Sequence, residues 1–330
     1  MPACGSHSEY VFEPSGKVSS VISWLAACFR LWKNALTLRN GTLYVVCSRS
    51  NFGFLRDLPA LILANFNFRV VVHSHGSDIL DLLTKRRISP LARAVYQACE
   101  LVVPSDHLRS PLEDHTKHVE VCENFFQVTG LSQEWPQSQR FRVLWNSNIM
   151  SSKGFFDVAE AIARLVDKNC EIVLTVLGAA KGDLEMSLKD VLKKLSTYQR
   201  FEWVDFVGRV EHHTLSEYIS QSDLIALPSR YPIESQGIAV IEGMCSGRAL
   251  IVSDIPALQT TIRGYPSETV PTNDIDALEA AISRLVEEKR NDPKGFFERR
   301  QEPAQFARER FSIERFDSKM IEILRAKDSQ

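Results

Sequence analysis

Short runs of β-branched and other apolar residues alternate along this chain with longer amphipathic stretches, the pattern of a parallel sheet flanked by helices. The runs are Leu43 to Cys47, Arg69 to His73, Glu100 to Val103, Arg142 to Trp145, Glu171 to Leu177, Val204 to Val207, Leu224 to Leu227 and Ala249 to Val252. Their near-continuous apolar character is that of strands buried on both faces. Helical patterns lie between them, among them Ser20 to Leu38, Leu55 to Asn65, Phe155 to Asp167 and Leu184 to Leu195. The fold class expected is therefore α/β.

At 330 residues the chain is long for a single core, and roughly 150 residues per domain predicts about two domains. The polar segment Thr129 to Arg140 has Gly and Pro but no periodic apolar face, and it is the expected linker. The charge-rich stretch Glu287 to Arg310 is read as a solvated helix or loop.

Lys and Arg total 39 against 41 Asp and Glu, so a net charge of -2 gives no general attraction to nucleic acid. Seven scattered cysteines include no C-x-x-C pair and read as small buried hydrophobes of a reducing compartment. Val21 to Phe29 is too short to span a bilayer, and Met1 opens no signal-peptide pattern, so a cytoplasmic location is expected. The amphipathic, cationic helix from Ser20 (Trp24, Arg30, Trp32, Lys33) leaves a peripheral contact with the inner membrane face open, against the simpler expectation that Trp24, Leu25 and Phe29 pack into the core.

The most informative segment is Leu227 to Val252, LPSRYPIESQGIAVIEGMCSGRALIV. A strand ends at Leu227, a loop with Pro228 and Pro232 follows, and Gly237 opens a helix that runs to Gly247. Glu234 then lies in the loop and Glu242 inside the helix. Unsatisfied N–H groups at that helix start suit a diphosphate, and carboxylates on either side suit sugar and ribose hydroxyls. A different chemistry is carried by His73-Ser-His75, where two imidazoles share one face at a strand end, as in a metal-dependent hydrolase. The later histidines (His107, His115, His118, His212, His213) do not fall at successive strand ends as further ligands would.

Glu234 and Glu242, spaced E-x7-E after a strand ending in L-P-S, resemble the retaining glycosyltransferases of family 4, which have the GT-B fold. Other segments agree in order: Ser151-Ser152-Lys153-Gly154 with the family's K-G segment, Leu177-Gly178 with its L-V-G turn, and Phe206 to Val210 with the F-x-G-x-V turn lining the base pocket. Ser222-Asp223 precedes the strand leading to Pro228, and Phe311-Ser312 resembles the closing F-S segment. The likeness is strongest over residues 140 to 260. Toward the N-terminus, RVVVHSHGSD, LVVPSDHL and Asn124 also match.

The resemblance implies two Rossmann-like parallel-sheet domains facing a cleft. Residues 1–134 would form an acceptor-side domain, 140–310 a nucleotide-sugar domain, and 311–330 a helix packing back on the first. It implies transfer of a sugar, with retention and without metal or cofactor, from a UDP- or GDP-sugar to a hydroxyl of a glycan or lipid-linked glycan. Glu234, His75 and Lys153 would be the catalytic residues. Asn148, Lys153, Arg209, Val210, Glu234, Gly237, Ile238 and Glu242 would bind the donor, with His75 facing the sugar from the other domain. Two departures stand out. Asn148 occupies a position where many members carry Arg, which leaves Arg209 or Arg230 to substitute for the lost cation. Residues 1–18 hold no strand, glycine-rich loop and helix, which implies a reduced N-terminal domain and, as an alternative function, a catalytically impaired nucleotide-sugar-binding or partner subunit.

Overall fold

The computed structural model describes residues 24–33, 41–48, 50–66, 68–126 and 138–325. The expected linker falls mostly outside them, as do residues 1–18. Two compact units divide the described chain: one holds residues up to Cys122 together with those from Asp317 onward, and the other runs Glu123–Phe316.

The first unit opens with helix α1 (24–33), followed by β1 (Thr42–Val46), α2 (Asn51–Leu61), β2 (Arg69–His73), α3 (Asp78–Thr84), α4 (Ser89–Tyr96), β3 (Glu100–Val103), α5 (Arg109–Glu113) and β4 (His118–Val121). Its four strands are all parallel and ordered β1-β2-β3-β4. The apolar core gathers Val70, Val72, Leu101 and Val103 from the strands with Leu82, Leu83, Tyr96 and Leu112 from the helices. Helix α1 differs from the expectation. The Trp24 and Trp32 indole N–H groups donate to the carbonyls of Arg56 and Pro59 on α2, both at 3.1 Å. With those edges turned inward, Leu25 and Phe29 point away from the core, 55% and 72% exposed.

The second unit contains β5 (Phe141–Asn146), α6 (Phe155–Asp167), β6 (Ile172–Leu177), α7 (Leu188–Tyr198), β7 (Val204–Gly208), α8 (His212–Ser220), β8 (Leu224–Leu227), α9 (Ile238–Cys245), β9 (Ala249–Ser253), α10 (Pro256–Thr261), β10 (Glu268–Val270), α11 (Ile275–Asn291), α12 (Pro293–Glu298) and α13 (Gln301–Arg310). Helix α6 forms as its sequence dictates: Phe155, Val158, Ala159, Ile162 and Leu165 recur at helical spacing and are buried against the sheet. Helices α7 and α11 are capped by Ser187 and Asp274, whose side chains accept from the N–H of Asp190 and Ala277. A last helix, α14 (Ile313–Arg325), starts in the second unit and ends in the first. Arg69 there donates to the carbonyls of Ile323 and Leu324 at 2.7 and 3.2 Å, while its guanidinium also pairs with Glu100.

The stretch Glu287 to Arg310 is not a solvated face throughout. It spans the end of α11, α12 and α13, and Phe296, Phe297, Ala304 and Ala307 on it are buried. Two of its cations are buried as well because each has a partner. Lys289 reaches Asp223 at 2.7 Å, and Arg300 lies over the Phe296 ring and 3.3 Å from Glu288. The six cysteines among the described residues are free thiols, of which Cys99, Cys122 and Cys245 are fully buried. No helix among the described residues is long and apolar enough to cross a membrane.

Candidate functional site

The strand order of the second sheet, β10-β9-β8-β5-β6-β7, contains one reversal. From β5 the chain winds outward through β6 to β7, then crosses back and lays β8, β9 and β10 on the other flank. The parallel neighbours β5 and β8, paired at Val143–Leu224 and Leu144–Ile225, therefore send their following loops in opposite directions. A crevice opens between such loops at the carboxyl ends of the strands, the place where open α/β sheets bind ligands. Residues 147–154 leave β5 and residues 228–237 leave β8. Asn148, Lys153, Glu234 and Gly237 all lie on these two loops.

Gly154 brings the loops into contact. Its φ is +84°, and a Cβ there would stand 2.5 Å from the Pro228 carbonyl oxygen, so both conformation and space require glycine. Beside it, the Lys153 ammonium lies 3.4 Å from Glu234 Oε2, with side-chain exposures of 16% and 9%. Ser229 Oγ donates to the same carboxylate oxygen at 3.2 Å. Lys153 Nζ also sits 5.6 Å from the centre of the Tyr231 ring, a cation–π distance. The pair is thus a positive charge and an acceptor carboxylate held in a half-buried recess, where fixed charges act more strongly than in bulk water.

Helix α9 starts at this recess. Gly237 caps it with φ +66°, and Ile238 at its first position is 47% exposed. The first N–H groups of such a helix lie outside its own hydrogen-bond ladder and favour an anion. Glu242 follows on the same helix but is 6% exposed. Asn146, the last residue of β5, donates from Nδ2 to Glu242 Oε2 at 2.5 Å. Burial pushes the Glu242 carboxyl up to about 7, against the opposing pull of the Asn146 bond.

The remaining expected residues are placed differently. Asn148 makes no side-chain hydrogen bond to another described residue and is partly buried on the loop after β5. Gly208 ends β7 and Val210 lies in the turn after it; the glycine has φ +85° and nothing within 4 Å of where a Cβ would stand. Arg209 in that turn is exposed and has no ion-pair partner among the described residues. Arg230 is not turned to the recess: it is held by Asp157 at 2.6 Å and Glu185 at 2.8 Å. It is thereby corrected from substitute cation to a structural group.

His75 belongs to the first unit. It is exposed at the carboxyl end of β2, and its ring lies 4.3 Å centre to centre from that of His73. His73 is buried; Tyr44 Oη contacts its Nδ1 at 2.7 Å, and burial together with the neighbouring His75 lowers its pKa to about 4. A neutral imidazole of this kind is compatible with a metal ligand, yet among the described residues no group of three His, Cys, Asp or Glu is placed to hold an ion. Ser229 appears in the sequence only as part of the L-P-S motif, and Asn146, Tyr231 and Asp183 are not distinguished there at all. Each is a polar residue at the carboxyl end of a parallel strand or in the loop that follows it, and that position was the available signal.

The comparisons with known proteins agree with this architecture. The family model described as glycosyl transferases group 1 matches residues 133–310. An alpha-D-kanosaminyltransferase of Streptomyces kanamyceticus is 26% identical over 257 residues, 70% of this chain and 64% of that protein. A phosphatidyl-myo-inositol mannosyltransferase of Mycolicibacterium smegmatis is 27% identical over 137 residues, 41% of this chain and 33% of that protein. The chain thus spans less than two thirds of the length of these relatives. Among solved structures, the sucrose-phosphate synthase of Thermosynechococcus elongatus superposes with a TM-score of 0.70 at 18% identity, covering 95% of this chain and 80% of the other. HepE of Anabaena, crystallised with UDP and glucose, gives 0.69 at 14% identity, covering 96% and 85%. These structures share the GT-B type of fold, two parallel-sheet α/β units, and with the family match extending over more than half of its residues the chain belongs to the glycosyl transferases group 1 family.

Proposed function

We propose that the chain binds a nucleoside-diphosphate sugar at the switch point of its second unit and transfers the sugar, with retention, to a hydroxyl of a glycan or lipid-linked glycan. The observation that carries this reading is the Lys153–Glu234 pair at the mouth of the β5/β8 crevice, beside the start of α9. The named chemistry of the relatives, transfer of kanosamine or of mannose to phosphatidyl-inositol, supports the reaction class.

The diphosphate lies against Lys153 and the first N–H groups of α9, which offset the charge that grows as it departs. Glu234 accepts hydroxyl protons of the sugar, and Glu242 those of the ribose. Asn148 adds an uncharged donor. Gly208 and Val210 offer main-chain groups to the base, and Arg209 stands at the rim. The bond from the anomeric carbon to the diphosphate oxygen breaks, a bond to the acceptor oxygen forms on the same face, and the acceptor's proton passes to the departing phosphate. No metal or resident cofactor takes part.

A thermal-shift screen of UDP, GDP and their sugars tests the reading, since a ligand confined to the folded state at about 100 times its Kd adds about 2.7 kcal/mol. One nucleotide should raise the melting temperature by several degrees, and Lys153→Met should remove most of that rise. A flat response to every nucleotide would refute the proposal. Binding without turnover on a broad acceptor panel would leave a nucleotide-sugar-binding subunit instead.

A further inference from the structure

We propose that Asp183 is a positioning residue for Lys153, acting with Arg230 to clamp the loop that carries it. The ligand named in the test rests on the function proposed above, whereas the clamp rests on its own geometry.

Ser152, the residue before Lys153, has every polar group engaged by a neighbouring loop. Asp183 Oδ2 accepts from Ser152 N and from Ser152 Oγ, both at 2.8 Å. The Arg230 N–H donates to Ser152 O at 2.8 Å. Asp183 is itself fixed, because its other oxygen accepts from the N–H groups of Glu185 and Met186 at 2.9 Å. Burial would raise the Asp183 pKa, but these hydrogen bonds outweigh it and hold the carboxyl below its ordinary value, so it is an anion at neutral pH.

Arg230 closes the clamp from the β8 side. Its guanidinium spans Asp157 at 2.6 Å, Glu185 at 2.8 and 2.9 Å, and Ser151 Oγ at 3.4 Å. Farther back, Ile149 N–H donates to Ala179 O at 2.9 Å and Lys181 N–H to Ile149 O at 3.0 Å. Three loops, those after β5, β6 and β8, are therefore tied together around Ser152, and Gly154 locks the other side of Lys153 against Pro228. With Asn148 carrying no charge, Lys153 is the cation that pairs with Glu234 among the described residues, and its effect on a diphosphate depends on being held in place before the ligand arrives.

The test uses the full chain and the variants Asp183→Asn, Lys153→Met and both together, with Ser152→Ala as a milder break of the same clamp. Amide hydrogen exchange over residues 147–154 reads the clamp without any ligand. Calorimetric affinities for UDP and uridine, with GDP and guanosine in parallel, isolate the phosphate-dependent part. Loss of a hydrogen bond to a charged group predicts exchange about tenfold faster in D183N and UDP or GDP binding about tenfold weaker, with nucleoside affinity unchanged. In the Lys153→Met background D183N should weaken the nucleotide no further, since the two residues act as one. Unchanged exchange in both D183N and S152A overturns the clamp. Additive losses in the double variant overturn the link to Lys153. If the wild-type chain binds neither nucleotide, the proposed function and the link to a diphosphate both fail, and the exchange data alone decide the clamp.

Discussion

Glu234 and Glu242 have the same chemistry and opposite surroundings. Glu234 faces a lysine and a serine hydroxyl, whereas Glu242 is buried with one amide donor and titrates near 7 instead of 4.5. Its folded pKa is raised, so the associated stability is complete below pH 4.5 and is lost as pH rises through about 7. At pH 8 the penalty is on the order of 3 kcal/mol, from roughly 1.36 kcal/mol per pKa unit. Glu242→Gln should therefore melt several degrees higher than the parent at about pH 8, with the two curves converging near pH 4.5. If that carboxylate accepts ribose hydroxyls, nucleotide affinity of the parent should rise between about pH 6 and 8, and the same variant should lose that rise. Thermal denaturation and calorimetry across that range check both statements. The two glutamates and Lys153 were legible because they sit in a strand, proline and glycine context that names their positions. Asn146 was not, since a lone polar residue ending an apolar run also reads as ordinary strand termination.

At the scale of elements, the buried tie between α11 and β8 is the most consequential contact outside the recess. Asp223 is fully buried, accepts from the Arg142 N–H at 2.8 Å and pairs with Lys289. Burial raises its pKa against the pull of Lys289. Removing one partner of such a pair strands the other charge, so Lys289→Met should cost about 3–5 kcal/mol in denaturant unfolding. The double variant with Asp223→Asn should cost less than Lys289→Met alone, and an equal or greater cost would show that the pairing is not the source. This tie was hidden in a segment whose charge density suggested solvent. Strands with continuous apolar runs were legible almost residue for residue, whereas β4 (HVEV) and β10 (ETV) were not, because short edge strands carry polar residues. Helix α2 starts at Asn51, four residues before the first expected position, because the Ser50 side chain accepts from Gly53 N–H and caps it there.

For the whole molecule, the two apolar cores are built from separate sets of residues. Calorimetry should show two unfolding transitions, and a bound nucleotide should raise only the one belonging to the second unit. A single transition that shifts as a block would mean the cores unfold together. Helix α14 adds a consequence for biosynthesis. Residues 123–316 form a unit from one uninterrupted piece of chain, whereas the first unit borrows residues from Asp317 onward. On a ribosome the sheet that is translated first must wait for the segment that is translated late, with Arg69 and Glu120 lacking their Ile323, Leu324 and Lys319 partners until then. The order of completion is thus the reverse of the order of synthesis, and a released chain ending at residue 316 would carry all of the second unit and only part of the first.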